Sequence, residues 1–201
     1  MSICKEWLTC CRENHRACDH VGNLPKNLRV IDCHLLEIIA APPKAAYIAL
    51  SYVWGSVRPN HASEFTRTVR DAIAVAKSLG YRYLWVDKHC IDQENDDDKH
   101  DQIHQMDLVY QAADLTIIAA AGSNADAGLP GVLDTPRNQQ PVVEVGDVEI
   151  INSMPHPHNT ILRSRWSTRA WTLQEAVLSR RRLVFTQDQT YFECGLMNCC
   201  E

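Results

Sequence analysis

The alternation of strand-like and helix-like segments between residues 47 and 121 constrains the fold most. Apolar runs typical of short strands occur at 47–53, 83–86 and 115–121, and stretches with helical spacing separate them at 66–79 and 99–113. Strands that alternate with helices are typical of βαβ units, whose strands pair in parallel. The pattern therefore predicts an α/β domain built on a mainly parallel sheet.

A second region, at about 122–160, interrupts this rhythm with prolines and glycines. It contains two short strand-like runs, Val142–Val145 and Val148–Ile151, joined by Gly146-Asp147. Because Gly and Asp favour the tight turns of two-residue loops, we predict a β-hairpin here. A helix near 168–178 and a further strand then resume the earlier pattern. We therefore interpret residues 122–160 as an insertion in the α/β domain.

The first 40 residues are predicted to form an N-terminal extension, with the main domain at 41–201. The extension begins with a helical segment rich in Cys and His. Cys11, His15 and Cys18 fall within two helical turns, and Cys33 is a candidate for the fourth ligand of a zinc site. Further potential ligands nearby are Cys10, His20 and His34. The spacing lacks a paired CxxC, so it favours buried free thiols, and we predict no metal.

Composition excludes several functional classes. The formal net charge is −5 and the isoelectric point is about 6.0, which argues against a non-specific nucleic-acid-binding protein. No apolar run is long enough to span a membrane, and the N-terminus lacks the apolar core of a secretory signal. Nine cysteines without an export signal indicate a reducing compartment, so we expect a cytoplasmic location. The chain ends just after a strand-like run, and we expect it to be part of a longer protein.

A candidate anion-binding site lies in the segment Ser164–Phe185. Trp171 and Glu175 are four residues apart, so they share one face if the segment is helical. Arg169 and its neighbouring arginines supply positive charge close to this acid. An adjacent apolar stripe is expected to face the core, and it consists of Ala170, Leu173 and Val177.

Polar and aromatic residues also follow two of the predicted strands. In open α/β sheets, ligands bind outside the carboxyl ends of the strands, so these residues are candidates for ligand contacts. Where the first strand leaves the sheet they are Ser51, Tyr52, Trp54 and Gly55, and at the end of the second they are Asp87 and Asp92. The same residues are also compatible with an ordinary strand-to-loop turn, a packed tryptophan and a helix cap.

Four blocks in order resemble the fungal heterokaryon incompatibility (HET) domain. They are YIALSYVWGS, LWVDKHCIDQEN, the helix with Met106, Tyr110 and Ala113, and RAWTLQEAVLSRRRLVF. The resemblance covers most of the chain. It implies a role in fungal non-self recognition, in which incompatible fusion triggers cell death, and it implies other incompatibility proteins as partners.

The order of the blocks is also similar to that of TIR domains, which implies a flavodoxin-like three-layer sandwich. In plant-type TIR domains the W-x-x-x-E segment carries a glutamate required for NAD hydrolysis, and Glu175 takes that position here. The likeness implies NAD as a substrate without any further cofactor, nicotinamide and ADP-ribose as products, and a homo-oligomer on activation. The insertion at 122–160 departs from the TIR pattern.

Two alternatives to this enzymatic interpretation stay open. Spacing alone also fits Glu175 as an exposed helix acid paired with Arg169 or Arg180, with Trp171 as a core anchor. At the level of function, the alternative is a non-enzymatic module that signals cell death through self-association and partner binding.

Overall fold

The computed structural model describes residues 1–19, 24–55 and 65–201, apart from the side chain of Asp97. The predicted zinc candidate His20 lies outside these residues. The described helices are α1 Ser2–Asn14, α2 Arg67–Ser78, α3 Asp87–Cys90, α4 Asp96–His104, α5 Met106–Ala112, α6 Pro157–Leu162 and α7 Thr172–Leu178. The described strands are β1 Arg29–Asp32, β2 Glu37–Ala40, β3 Tyr47–Ser51, β4 Tyr83–Val86, β5 Leu115–Ala119, β6 Val142–Val145, β7 Val148–Ile151, β8 Arg181–Phe185, β9 Thr190–Cys194 and β10 Asn198–Cys200.

Eight strands form one mixed sheet in the order β10-β9-β8-β5-β3-β4-β1-β2. The four central strands, β8, β5, β3 and β4, are parallel, and antiparallel strands extend both edges. Every residue of β3 and β5 is buried, which explains why both read as continuous apolar runs. The α/β prediction is confirmed, and parallel pairing is limited to the centre of the sheet.

Helices connect the parallel strands as the spacing predicted. Helix α2 links β3 to β4 and buries Val69, Ala72, Ile73 and Ala76, which lie along one face. It ends before Gly80, whose φ of +88° is the left-handed conformation expected just after a helix. The predicted helix over 99–113 is two helices, α4 and α5. Their junction is Gln105, whose side-chain oxygen accepts a hydrogen bond from the backbone N–H of Lys26.

The hairpin β6–β7 occurs at the predicted residues and forms a separate two-stranded sheet. All eight of its strand residues are exposed, so it contributes no side chain to the core. In contrast, the N-terminal extension is part of the main sheet, because β1 pairs with β4 through Ile31 opposite Leu84. Helix α1 buries Cys4, Leu8 and Cys11 in the same core. No helix in the described part of the chain is long and apolar enough to cross a membrane.

Candidate functional site

A cavity of about 450 Å³ opens at the carboxyl ends of β3 and β4. Ligands of open α/β sheets bind outside these ends of the strands. The volume of the cavity is within the range of about 300–1,000 Å³ typical of small-molecule sites. The lining is mainly apolar, with a few polar and charged groups. The lining residues are Val53, Trp54, Gly55, Asp87, Ile91, Gln93, Lys99, Ile103, Met106, Arg169, Trp171 and Glu175.

Glu175 is the less exposed of the two acids that line this cavity, with 1% of its surface exposed. Its Oε2 accepts a hydrogen bond from the hydroxyl of Ser51, and that hydroxyl accepts one from the indole N–H of Trp166 at 2.6 Å. Burial raises the pKa of Glu175 above its ordinary value, while the Ser51 hydrogen bond and the charge of Arg169 oppose the rise. The side chain is therefore a buried carboxyl group held in one orientation.

Arg169 ties this acid to the end of β3. One guanidinium nitrogen lies 3.7 Å from Oε1 of Glu175, and another donates to the backbone carbonyl of Tyr52. The Arg169 side chain is 26% exposed and lines the cavity, so it also offers positive charge to a ligand. Of the two partners that the spacing offered Glu175, the structure selects Arg169 and buries the acid.

Asp87 forms a second acidic position at the end of β4. Its carboxylate accepts hydrogen bonds from the Trp54 indole at 3.0 and 3.1 Å and from the backbone N–H of Lys88 at 2.7 Å. Burial, helped by the nearby negative charge of Glu175, raises the pKa of Asp87 to about 7. The Lys88 ammonium lies 5.9 Å from the centre of the Trp54 ring, a cation–π distance.

The raised pKa of Asp87 makes a prediction about stability. An acid whose pKa rises from 3.8 to about 7 on folding destabilises the folded state progressively as the pH rises through that interval. Asparagine does not ionise, so Asp87→Asn should not suffer this loss. From about pH 5 to about pH 8, we expect the free energy of unfolding of the variant to increase by about 2 kcal/mol relative to that of wild type. Urea unfolding of both proteins at the two pH values measures the difference.

Wild type and Asp87→Asn must be compared at each pH because His89 changes the stability of both proteins with pH in the opposite direction. Burial lowers the pKa of His89 to about 4, so this residue destabilises the folded state at acidic pH. The contribution of His89 is common to wild type and Asp87→Asn and cancels in the difference. A variant with the same dependence on pH as wild type would contradict the assignment of Asp87.

The structure brings most of the predicted site residues together. Six of them line the cavity: Trp54, Gly55, Asp87, Arg169, Trp171 and Glu175. Ser51 and Tyr52 are buried behind it, where Ser51 holds Glu175 and the backbone of Tyr52 holds Arg169. Asp92 is not among the lining residues, and its carboxylate accepts a hydrogen bond from the backbone N–H of Glu94.

Three further residues contribute polar groups to the site without having been predicted from the sequence. Gln93 and Lys99 line the cavity, and Trp166 donates to Ser51. A signal for Lys99 was present, because it stands four residues before Ile103 and seven before Met106, the spacing of one helix face. Trp166 and Ser51 are far apart in the chain, so no local pattern relates them.

The apolar stripe of α7 faces outward, contrary to prediction. Leu173 is 73% and Val177 68% exposed, and Ala170 is also exposed. The helix instead buries Thr172 and Glu175, because the carboxylate of Glu175 finds its partners in the interior. Trp171 does not lie within the helix but directly precedes it, half exposed, where the cavity meets this apolar face.

Comparison with known proteins shows a similarity to heterokaryon incompatibility proteins. The family model described as "Heterokaryon incompatibility protein (HET)" matches residues 47–175, which run from the start of β3 to the buried Glu175. The chain is also similar to heterokaryon incompatibility protein 6, OR allele, of Neurospora crassa. They are 29% identical over 152 aligned positions, which cover 60% of this chain and 21% of that protein. The chain thus spans about a fifth of the length of this curated relative.

No solved structure matches the chain. The family match extends over more than half of the sequence and includes the segments that enclose the cavity. The chain therefore belongs to the heterokaryon incompatibility (HET) family.

Proposed function

We propose that this chain acts in heterokaryon incompatibility and signals cell death by hydrolysing NAD, with Glu175 as the catalytic carboxylate. The observation that carries the proposal is the position of Glu175. It is a nearly fully buried acid that lines a cavity and is held by Ser51 and Arg169. Buried acids with fixed partners in a cleft are typical of functional sites.

Family membership supports the biological part of the proposal. The matching family and the Neurospora crassa relative are both named for heterokaryon incompatibility. We propose that the chain acts in the cytoplasm, that other incompatibility proteins are its partners, and that it binds no nucleic acid. The formal net charge of −5 supports the last point.

The proposal includes a TIR-like, flavodoxin-like arrangement. Numbered among themselves in chain order, the four parallel strands β3, β4, β5 and β8 stand in the sheet in the order 2-1-3-4. This order agrees with the first four strands of the flavodoxin-like order 2-1-3-4-5. The antiparallel edges and the exposed hairpin β6–β7 are additions to that arrangement.

The proposed reaction cleaves the bond between the nicotinamide nitrogen and C1′ of its ribose. The bonding electron pair leaves with nicotinamide, which becomes neutral, and C1′ passes through an oxocarbenium-like state. Water adds its oxygen to C1′ and releases one proton, giving ADP-ribose. An ionised Glu175 stabilises the positive charge on the sugar and accepts a hydrogen bond from a ribose hydroxyl. Its Oε1 is the oxygen not bonded to Ser51.

Other residues of the cavity suit the remaining parts of a dinucleotide. Trp171 offers a half-exposed ring at the rim for stacking on a base or on the cationic nicotinamide. Lys99 and Arg169 supply positive charge for the pyrophosphate. Trp54 is held by Asp87 at the end of β4, so its ring is a rigid wall.

The test is nicotinamide release. Purified protein at high concentration is incubated with NAD, and nicotinamide and ADP-ribose are measured by chromatography, with protein-free NAD as the blank. The proposal expects equal amounts of both products. If no nicotinamide is released across a wide range of protein concentrations, the enzymatic proposal is wrong and the family assignment remains.

The exposed face of α7 favours a second candidate function, a non-enzymatic module that acts through assembly. This face consists of Leu173 and Val177 of α7 together with Ala170 and Trp171, which directly precede the helix, and it adjoins the cavity at Trp171. Contiguous exposed apolar patches mark interaction sites. In the enzymatic proposal the same face mediates a self-association that completes the pocket.

Substitution at this face is predicted to prevent self-association. We expect Leu173→Asp to lower the apparent association constant at least about tenfold, because it places a charge in the contact. Sedimentation velocity over a dilution series measures the effect, with Leu35→Asp as the control, an exposed leucine in the β1–β2 turn. If expression of the chain is toxic and Leu173→Asp removes toxicity while Glu175→Gln retains it, the non-enzymatic function is favoured. Unchanged association of Leu173→Asp would rule out this face.

A further inference from the structure

Four side chains with metal-binding atoms converge at a point outside the cavity of the proposed active site. They are Cys11, His15, Cys18 and Cys194, and their ligand atoms all lie within 4.8 Å of one another. Cys11 is in the last turns of α1, His15 directly follows that helix, and Cys18 ends the short 3₁₀ helix Arg16–Cys18. Cys194 is the last residue of β9. The cluster thus joins the two ends of the described chain.

The geometry of the cluster is that of a small, closed coordination site. The Cys194 sulfur lies 3.3 Å from Nδ1 of His15. In a tetrahedral zinc site with bonds of about 2.0–2.3 Å, neighbouring ligand atoms lie about 3.3–3.8 Å apart, so a small inward shift would close the set. The three cysteines are buried and His15 is partly buried, which leaves no open position of the kind that catalytic zinc requires.

The chemistry of the donors selects the metal. Three thiols and one imidazole form the Cys₃His set of structural zinc sites, and no carboxylate belongs to the cluster. Calcium and magnesium prefer oxygen ligands, so neither is expected here. Cys33, the fourth ligand considered from the sequence, does not belong to the cluster. It is buried directly after β1, near one edge of the sheet, whereas Cys194 is in β9, near the other edge.

A buried arginine contributes positive charge beside one of the four ligands. Three thiolates and one Zn²⁺ carry a net charge of −1, which must be balanced in a buried site. Arg181 is 1% exposed, and its Nε donates a hydrogen bond to the Cys11 sulfur at 3.2 Å. Asp114 and Asp19 fix the other end of its guanidinium at 2.6 and 3.0 Å. Groups that bond to metal ligands in this way orient them and increase metal affinity.

We propose that Cys11, His15, Cys18 and Cys194 bind one structural zinc ion that fastens the N-terminal helix α1 to strand β9. Binding of the ion replaces the thiol protons of the three cysteines and releases them to solvent. The ion closes a loop that contains almost the whole described chain, from Cys11 to Cys194. The proposal is independent of the NAD hydrolysis proposed above, because none of the four residues lines that cavity.

The experiment is metal analysis of the full chain, purified with a thiol reductant and without chelator. We expect inductively coupled plasma mass spectrometry to find about one zinc ion per chain. Cys194→Ala and His15→Ala should each retain less than about a fifth of the zinc after dialysis, because they leave only three ligands. Cys10→Ala is the matched control, since Cys10 adjoins Cys11 but is exposed and outside the cluster, and it should keep the zinc of wild type.

A measurement on wild type alone tests the proposal even if the variants do not fold. Protein that has been stripped of zinc is titrated with Co²⁺ under reducing conditions. Binding should produce the visible bands of tetrahedral cobalt and the near-ultraviolet bands of cobalt–thiolate charge transfer, with saturation at about one equivalent. Absence of zinc in wild type together with absence of these bands overturns the proposal. A disulfide between two of the three cysteines that persists under reductant overturns it as well.

Discussion

Glu175→Gln is expected to lower the rate of nicotinamide release from NAD at least about 100-fold, since the amide carries no charge to stabilise the oxocarbenium-like state. Glutamine has nearly the same shape as glutamate, and its side-chain oxygen can still accept the Ser51 hydrogen bond. The fold and the NAD affinity should therefore change little. The rate at saturating NAD is the measurement, and a thermal unfolding curve checks the fold.

The matched control is Glu144→Gln, which changes an exposed acid on the β6–β7 hairpin and should leave the rate unchanged. A second, diagnostic variant is Ser51→Ala, which removes the hydrogen bond to Glu175 without touching the cavity lining. We expect it to lower the rate by about tenfold with little change in KM, because it acts through the position of the carboxylate. Full activity of Glu175→Gln would contradict the proposed role.

Asp114→Ala is expected to produce the largest loss of stability, about 3–5 kcal/mol, because it leaves buried positive charge without its partner. Asp114 begins the turn into β5 and contacts three guanidinium groups, those of Arg12, Arg180 and Arg181. Arg181 is 1% and Arg180 12% exposed, so neither can turn to solvent without disturbing the core. Urea unfolding measures the loss.

Asp101→Ala serves as the control, because Asp101 is an exposed acid on α4 and its loss should change stability by less than about 0.5 kcal/mol. The pH dependence gives a second check. Burial alone would raise the pKa of Asp114, but hydrogen bonds from Tyr81 and Arg12 lower it below its ordinary value of 3.8. Its stabilisation is therefore present above that value and is lost as the pH falls through the lowered pKa. A loss below about 1 kcal/mol in Asp114→Ala would contradict the importance of this network.

The Asp114 network and the proposed zinc site meet at Arg181, which bonds both Asp114 and the Cys11 sulfur. Substitution of Asp114 is thus expected to weaken zinc binding as well as folding. The two effects are separable, since zinc content is measured on folded protein at low temperature. The N-terminal extension depends on this junction, because Arg12 of α1 also bonds Asp114.

Much of the fold was predictable because its signals are local. The strands at Tyr83–Val86 and Leu115–Ala119 and the helix at Arg67–Ser78 each carry the period of their own structure. The hairpin β6–β7 follows from its Gly146-Asp147 turn. Strands β2 and β10 were not predicted. Their residues carry weak apolar alternation, and they are strands because neighbours in the sheet complete their hydrogen bonds.

The sequence alone determined the alternation of strands and helices from β3 to β5, the family blocks and the candidate residues at strand ends, because each depends on residues close together in the chain. Only the tertiary structure decided that Glu175 turns inward to Ser51 and Arg169 while Leu173 and Val177 face outward. It likewise selected Cys194, and not Cys33, to stand beside Cys11, His15 and Cys18. The contacts of Glu175 with Ser51 and of Cys194 with Cys11 join residues more than a hundred positions apart, and no periodicity in the chain encodes which distant partner a side chain will meet.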